Sequence, residues 1–149
     1  MPMALKYLLV LFLLLIVGVF FVYTKTVPQT SLKHITVGGV PLLVEVALDE
    51  ASHERGLSGR VSLPQGEGML FVFDKPGSWG IWMKDMQFPL DIIWARADGT
   101  VSTIEKNVLP STYPRAFYPK TPDALYVLEV QAGWAATHGV AEGTKIVIE

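Results

Sequence analysis

Apolar residues are distributed along this chain in two regimes. From Tyr7 to Thr24 there are 18 consecutive uncharged residues, 14 of them Leu, Ile, Val or Phe, and no helical face is polar. Beyond Thr26 the apolar residues come in short runs broken by Gly, Pro and Asp, the punctuation of strands. His34 to Val37 and Leu42 to Ala47 flank Gly38-Gly39, which predicts a hairpin whose turn takes positive φ. Asp49 predicts the cap of a short helix through Arg55 and Leu57, with Gly59 available at its end. Strands are predicted at Met69 to Phe73, Gly80 to Met83, Asp91 to Ala95 and Val101 to Lys106, the last two joined across Asp98-Gly99. Residues 107 to 124 carry four prolines and predict an irregular connection. It either covers a pocket or partner surface with Tyr113, Phe117 and Tyr118 or plugs one end of the fold with them. A strand from Leu125 to Val130, a short helix from Trp134 to His138 stopped by Gly139, and a closing strand from Thr144 to Ile148 complete the pattern. About eight strands and two short helices make a mainly β fold, α+β at the margin, built as a compact barrel or sandwich.

The first regime has a different solvent. At about 1.5 Å per residue the apolar run makes a helix of ~27 Å, close to the ~30 Å hydrocarbon core of a bilayer. At roughly −0.4 kcal/mol per apolar side chain its insertion is favoured by about 6 kcal/mol. Residues 1–25 are therefore expected as an N-terminal transmembrane helix, with a cleaved signal peptide as the alternative. No Ala-x-Ala pattern follows it, which favours an uncleaved anchor. Lys6 and the short leading tail orient it N-inside, leaving the bulk of the chain outside the cytoplasm, or periplasmic or secreted if the segment is cleaved. Residues 26–32 read as a tether and 33–149 as one β-rich domain.

Charge narrows the function classes. Residues 26 to 149 hold 10 Lys or Arg against 14 Asp or Glu, with no basic run, so nucleic acid is not an expected partner. The chain has no cysteine, which excludes disulfides, thiol catalysis, thiolate metal sites and a lipidated cysteine. Three histidines, at 34, 53 and 138, form no ligand-spaced pair, and no cofactor motif is present.

Candidate chemistry centres on Glu67 to Trp94, which holds three of the four tryptophans and three of the five methionines. Asp91 heads an apolar run there, and Glu129 lies within Leu125 to Val130, where alternation places it on one face with Leu125 and Val127, leaving that face near the rim. Arg55, Arg60 and Lys84 are the available cations. Two readings follow: ion pairs that pin the short helix to the barrel, or a pocket where Arg55, Arg60, Trp82, Lys84, Asp91 and Glu129 meet a small hydroxylated, saccharide-like ligand. Paired acid and base work by Asp91 and Glu129 with Arg55 is the enzymatic alternative, and would need a defined carboxyl separation. Met69, Met83 and Met86 are candidate thioether ligands for a soft metal, against the plainer reading of sulfur packed on aromatic rings.

Arg55-Gly56-Leu57 with Arg60, then Glu67-Gly68-Met69-Leu70-Phe71, Trp82-Met83-Lys84, Pro89-Leu90-Asp91-Ile92 and Leu128-Glu129, followed by Gly133, Gly139 and Gly143, resemble the bacterial and archaeal domain of unknown function 192 family. The resemblance runs from about Val44 to Ile148. It departs from the family pattern at Ser58, where Met is usual, and at Asp85-Met86, where Asn-Thr is frequent. It implies a compact, mostly β domain, often exported, and supplies no activity. The expected function is a ligand-binding or accessory module of the cell envelope, with an enzyme or a structural partner of another envelope protein as alternatives.

Overall fold

The computed structural model describes residues 31–148. The expected membrane segment lies outside these residues. Among them, no helix is long and apolar enough to cross a membrane.

Among the described residues nine strands and two short α-helices follow in the order β1 (Ser31–Val37), β2 (Val40–Ala47), α1 (Glu50–Arg55), β3 (Glu67–Gly77), β4 (Ile81–Trp82), β5 (Leu90–Arg96), β6 (Val101–Val108), β7 (Ala116–Phe117), β8 (Ala124–Gln131), α2 (Trp134–Thr137) and β9 (Ile146–Ile148). Seven strands form one sheet in the order β6-β5-β8-β3-β2-β1-β9, and β4 pairs with β7 apart from it. The sheet is antiparallel except at β2 and β3, which run parallel because α1 carries the chain across. It curls until its ends meet. Gly143 N–H donates to Val101 O and Ile146 N–H to Gly99 O, each within 2.9 Å, which ties the approach to β9 onto the β5–β6 turn. Gly99 has φ +78°, and a Cβ there would lie 2.2 Å from Ile146 O, so this seam requires glycine.

The sheet is buried on both faces, which is why β5 is apolar on both sides from Ile92 to Ala95. Inside the curl, Ile35, Leu42, Val44, Leu70, Ile93 and Leu128 pack with Trp134 and Ala135 of α2. On the outer face, Met69, Phe71, Ile92, Trp94 and Val127 are covered by Leu57, Leu63, Ile81, Met83 and Phe117. The cover consists of α1, the loop behind it, and the small β4–β7 sheet.

Two expectations are corrected. The helix ends at Gly56, with φ +48°, rather than at Gly59, because the Asp49–Ser52 capping box opens it and a single turn later the chain must drop Leu57 into the outer core. The proline-rich connection is not wholly irregular. Ala116 and Phe117 pair with Trp82 and Ile81, burying Phe117 and leaving Tyr113 and Tyr118 exposed, so this connection both plugs the outer layer and presents aromatics.

Candidate functional site

Along β8 the residues alternate between the two cores, with Leu128 and Val130 facing inward and Val127 and Glu129 facing outward. Glu129 is paired with Met69 on one side and Ile92 on the other, in the middle of the outer apolar layer. It does not leave that layer near a rim; the residue is 5 % exposed. Among the described residues, its Oε2 is the sole buried side-chain oxygen or nitrogen without a hydrogen-bond partner. An unpartnered buried polar atom costs about 1–3 kcal/mol and calls for an explanation. Burial pushes the carboxyl from its ordinary 4.5 up to about 8, against a smaller downward pull from the Arg60 guanidinium. Glu129 is thus a largely neutral acid at pH 7.

Register explains why Arg60 does not neutralise it. Glu45 on β2 stands opposite Met69, and Met69 opposite Glu129, so the two acids lie in one row across three strands, roughly 10 Å apart. Arg60 forks onto Glu45, with Nη2 2.6 Å from Oε2 and Nη1 on Oε1. This pair raises the Arg60 pKa and lowers that of Glu45.

Above Glu129 is a small cleft of about 50 Å³, walled by Arg55, Leu57, Ser58, Phe71, Trp82 and Met86. That volume holds only a few waters or one small ligand group. Two loops are laced together at one wall: Ser58 Oγ donates to Lys84 O at 2.8 Å and Gly59 N–H to Asp85 O at 2.9 Å. Gly56 permits the sharp exit from α1, and a Cβ placed there would lie 3.3 Å from Phe71 Cζ. Arg55 is left exposed at the mouth. The cleft shares His53, Glu54, Gly80 and Trp82 with an open groove of about 820 Å³ that continues past Phe73 and Trp79. Trp79 stacks on Phe73 with ring centroids 4.2 Å apart, and the buried Trp94 indole N–H holds the loop by donating to Trp79 O at 2.8 Å. Lys84 Nζ lies 5.7 Å over the half-exposed Trp82 ring, and Tyr113 meets the same ring edge-on.

Arg55, Trp82 and Glu129 are therefore brought together, with Lys84 and Arg60 adjoining. Asp91 is not. It faces the inner core, fully buried, where Oδ1 accepts from Asn107 N–H and Oδ2 from Ala135 N–H, both at 2.9 Å. Ala135 is in the first turn of α2, so Asp91 caps that helix from a distant strand. Met69, Met83 and Met86 all lie in the outer apolar layer. Among the described residues no group of three or more His, Asp or Glu could hold a metal ion.

Residues missed by sequence reasoning include Glu45, Phe73 and Trp79. Glu45 carried the same signal as Glu129, an acid within an apolar strand.

The family model of the domain of unknown function 192 (DUF192, Uncharacterized ACR) matches residues 33–148. The chain belongs to this family. A crystal structure from Sinorhizobium meliloti 1021, described as "a putative transcription regulator", is 31 % identical and superposes with a TM-score of 0.75, over 80 % of this chain and 95 % of that one. A protein of unknown function from Novosphingobium aromaticivorans DSM 12444 is 30 % identical with a TM-score of 0.74, over 82 % of this chain and 89 % of that one. No curated protein matches the chain.

Proposed function

We propose that this DUF192 chain is a membrane-anchored, extracytoplasmic binding module for a small hydroxylated, saccharide-like ligand, taken up in the cleft over Glu129. The observation that carries this reading is a buried carboxyl, with an unpartnered Oε2, on a residue that lines the cleft. A neutral carboxyl both donates and accepts, which suits a hydroxyl. Trp82, 45 % exposed at the mouth, offers a flat apolar face for a sugar ring, and Arg55 a fork of donors beside it. The apolar run Tyr7 to Thr24 supports the anchor. An enzyme built on two cooperating carboxyls is disfavoured, because Asp91 and Glu129 open to different faces of the sheet.

The test is a thermal-shift screen of the full-length chain in mild detergent against mono- and disaccharides. A saccharide should raise the melting temperature of the wild type, and the rise should be absent in Glu129→Leu and Trp82→Ala variants that remain folded, Leu having neither donor nor acceptor. A blank screen, or an undiminished shift in both variants, overturns the reading.

A further inference from the structure

The groove that leads to the cleft is not electrically neutral. Its rim carries Asp49, Glu50, Glu54 and Asp74 against Lys75 alone, with Arg55 at the cleft. Asp49 is occupied, since its Oδ1 accepts the Ser52 N–H at 2.7 Å. The other three are not: among the described residues the salt bridges are those of Glu45, Asp98, Asp123 and Glu142. Between these acids lie the aromatic surfaces of Phe73, Trp79 and Trp82. Carboxylates interleaved with ring faces attract a cation twice, by charge and by the ring quadrupole. The groove adjoins the cleft lined by Glu129, through His53, Glu54, Gly80 and Trp82, so it leads to a carboxyl with one oxygen still unpartnered.

Resting on the binding reading above, we infer that this site selects a saccharide bearing a free amine: a hydroxyl enters the cleft toward Glu129, the ring lies against Trp82, and the ammonium sits among Glu50, Glu54 and Asp74. Arg55 and Lys75 set the orientation, because they repel the ammonium from the cleft mouth and the outer end of the groove.

The experiment is calorimetric titration of the full-length chain in mild detergent, at pH 6 and low salt, with the β-1,4-linked glucosamine dimer and with its N,N′-diacetyl form. The two share a ring skeleton and differ in charge. The free amine form should bind at least ten-fold more tightly, and that advantage should vanish in 1 M NaCl. It should also vanish in the Glu50→Gln, Glu54→Gln, Asp74→Asn triple variant, whose substitutions are all at exposed positions. Equal or tighter binding of the diacetyl form overturns the amine inference and leaves the binding module standing. Retention of the preference in the triple variant overturns the placement of the ammonium. Binding of neither dimer or of any neutral saccharide overturns both.

Discussion

Asp91 and Glu129 stand on adjacent strands one position out of register, Asp91 opposite Val130 and Glu129 opposite Ile92. That offset sends one carboxyl into the curl of the sheet and the other to its outer face. Both are buried acids in apolar strands, yet their environments differ: both oxygens of Asp91 accept backbone N–H groups, whereas Glu129 has an oxygen with no partner. The first fastens the fold, and the second keeps an unsatisfied oxygen in the outer layer.

Asp91→Ala leaves two backbone donors without their acceptor, one of them in the first turn of α2. The expected loss is about 2–4 kcal/mol of stability, read by urea denaturation. Asp91→Asn keeps one acceptor and turns an amide toward the other N–H, so its loss should be nearly as large. Neither change should alter saccharide affinity in the folded fraction. A stability-neutral Asp91→Asn that abolished binding would move Asp91 into the site.

This division was only partly legible in the sequence. The hairpin at Gly38-Gly39, the cap at Asp49 and the apolar runs were readable because each depends on a local rule: positive φ, an orphan N–H, or alternation. Glu129's face was readable for the same reason, since it follows from Val127. Its burial was not. That depends on Leu57, Met83 and Phe117, from three distant segments, closing over the outer face. Nor did spacing along the chain show that Arg60 belongs to Glu45, because the parallel β2–β3 pairing that aligns Glu45 with Met69 arises from the crossover through α1. The membrane segment is an expectation from hydropathy alone, and its residues lie outside those described.

The raised pKa of Glu129 has a thermodynamic signature. Between pH 4.5 and about 8 the unfolded chain has released this proton while the folded chain keeps it, so stability falls as pH rises through that window. The accumulated loss is on the order of 5 kcal/mol at 1.36 kcal/mol per pKa unit. Glu129→Gln cannot ionise. It should raise the melting temperature at pH 8, change it little at pH 4.5, and flatten the pH dependence between them. An unchanged profile would mean that Glu129 is ionised in the folded protein.

Gly99→Ala tests the closure of the sheet. A methyl group 2.2 Å from Ile146 O cannot be accommodated, and φ +78° is costly for alanine. At least ~2 kcal/mol should be lost, with amide exchange at Gly143 and Ile146, whose N–H groups form the seam, accelerating more than at β8.

Glu45 and Glu129 compete for one guanidinium across Met69. In the native protein Glu45 wins, because Arg60 forks onto it with both terminal nitrogens. Glu45→Gln removes the charge that holds Arg60 and leaves an amide that accepts through one oxygen only. Arg60 already pulls the Glu129 pKa down from its present distance, so the released guanidinium should pull harder, and the ionisation midpoint should fall below about 8. Carboxyl-carbon NMR titration of Glu129 reads this directly, in the wild type and in Glu45→Gln. Arg60→Gln should move the midpoint the other way, since it deletes the one charge that lowers it. In the double variant Glu45→Gln, Arg60→Gln the midpoint should match that of Arg60→Gln alone. If Glu45→Gln left the midpoint fixed, Arg60 would be held by something other than Glu45, and the row of acids across β2, β3 and β8 would be two independent sites.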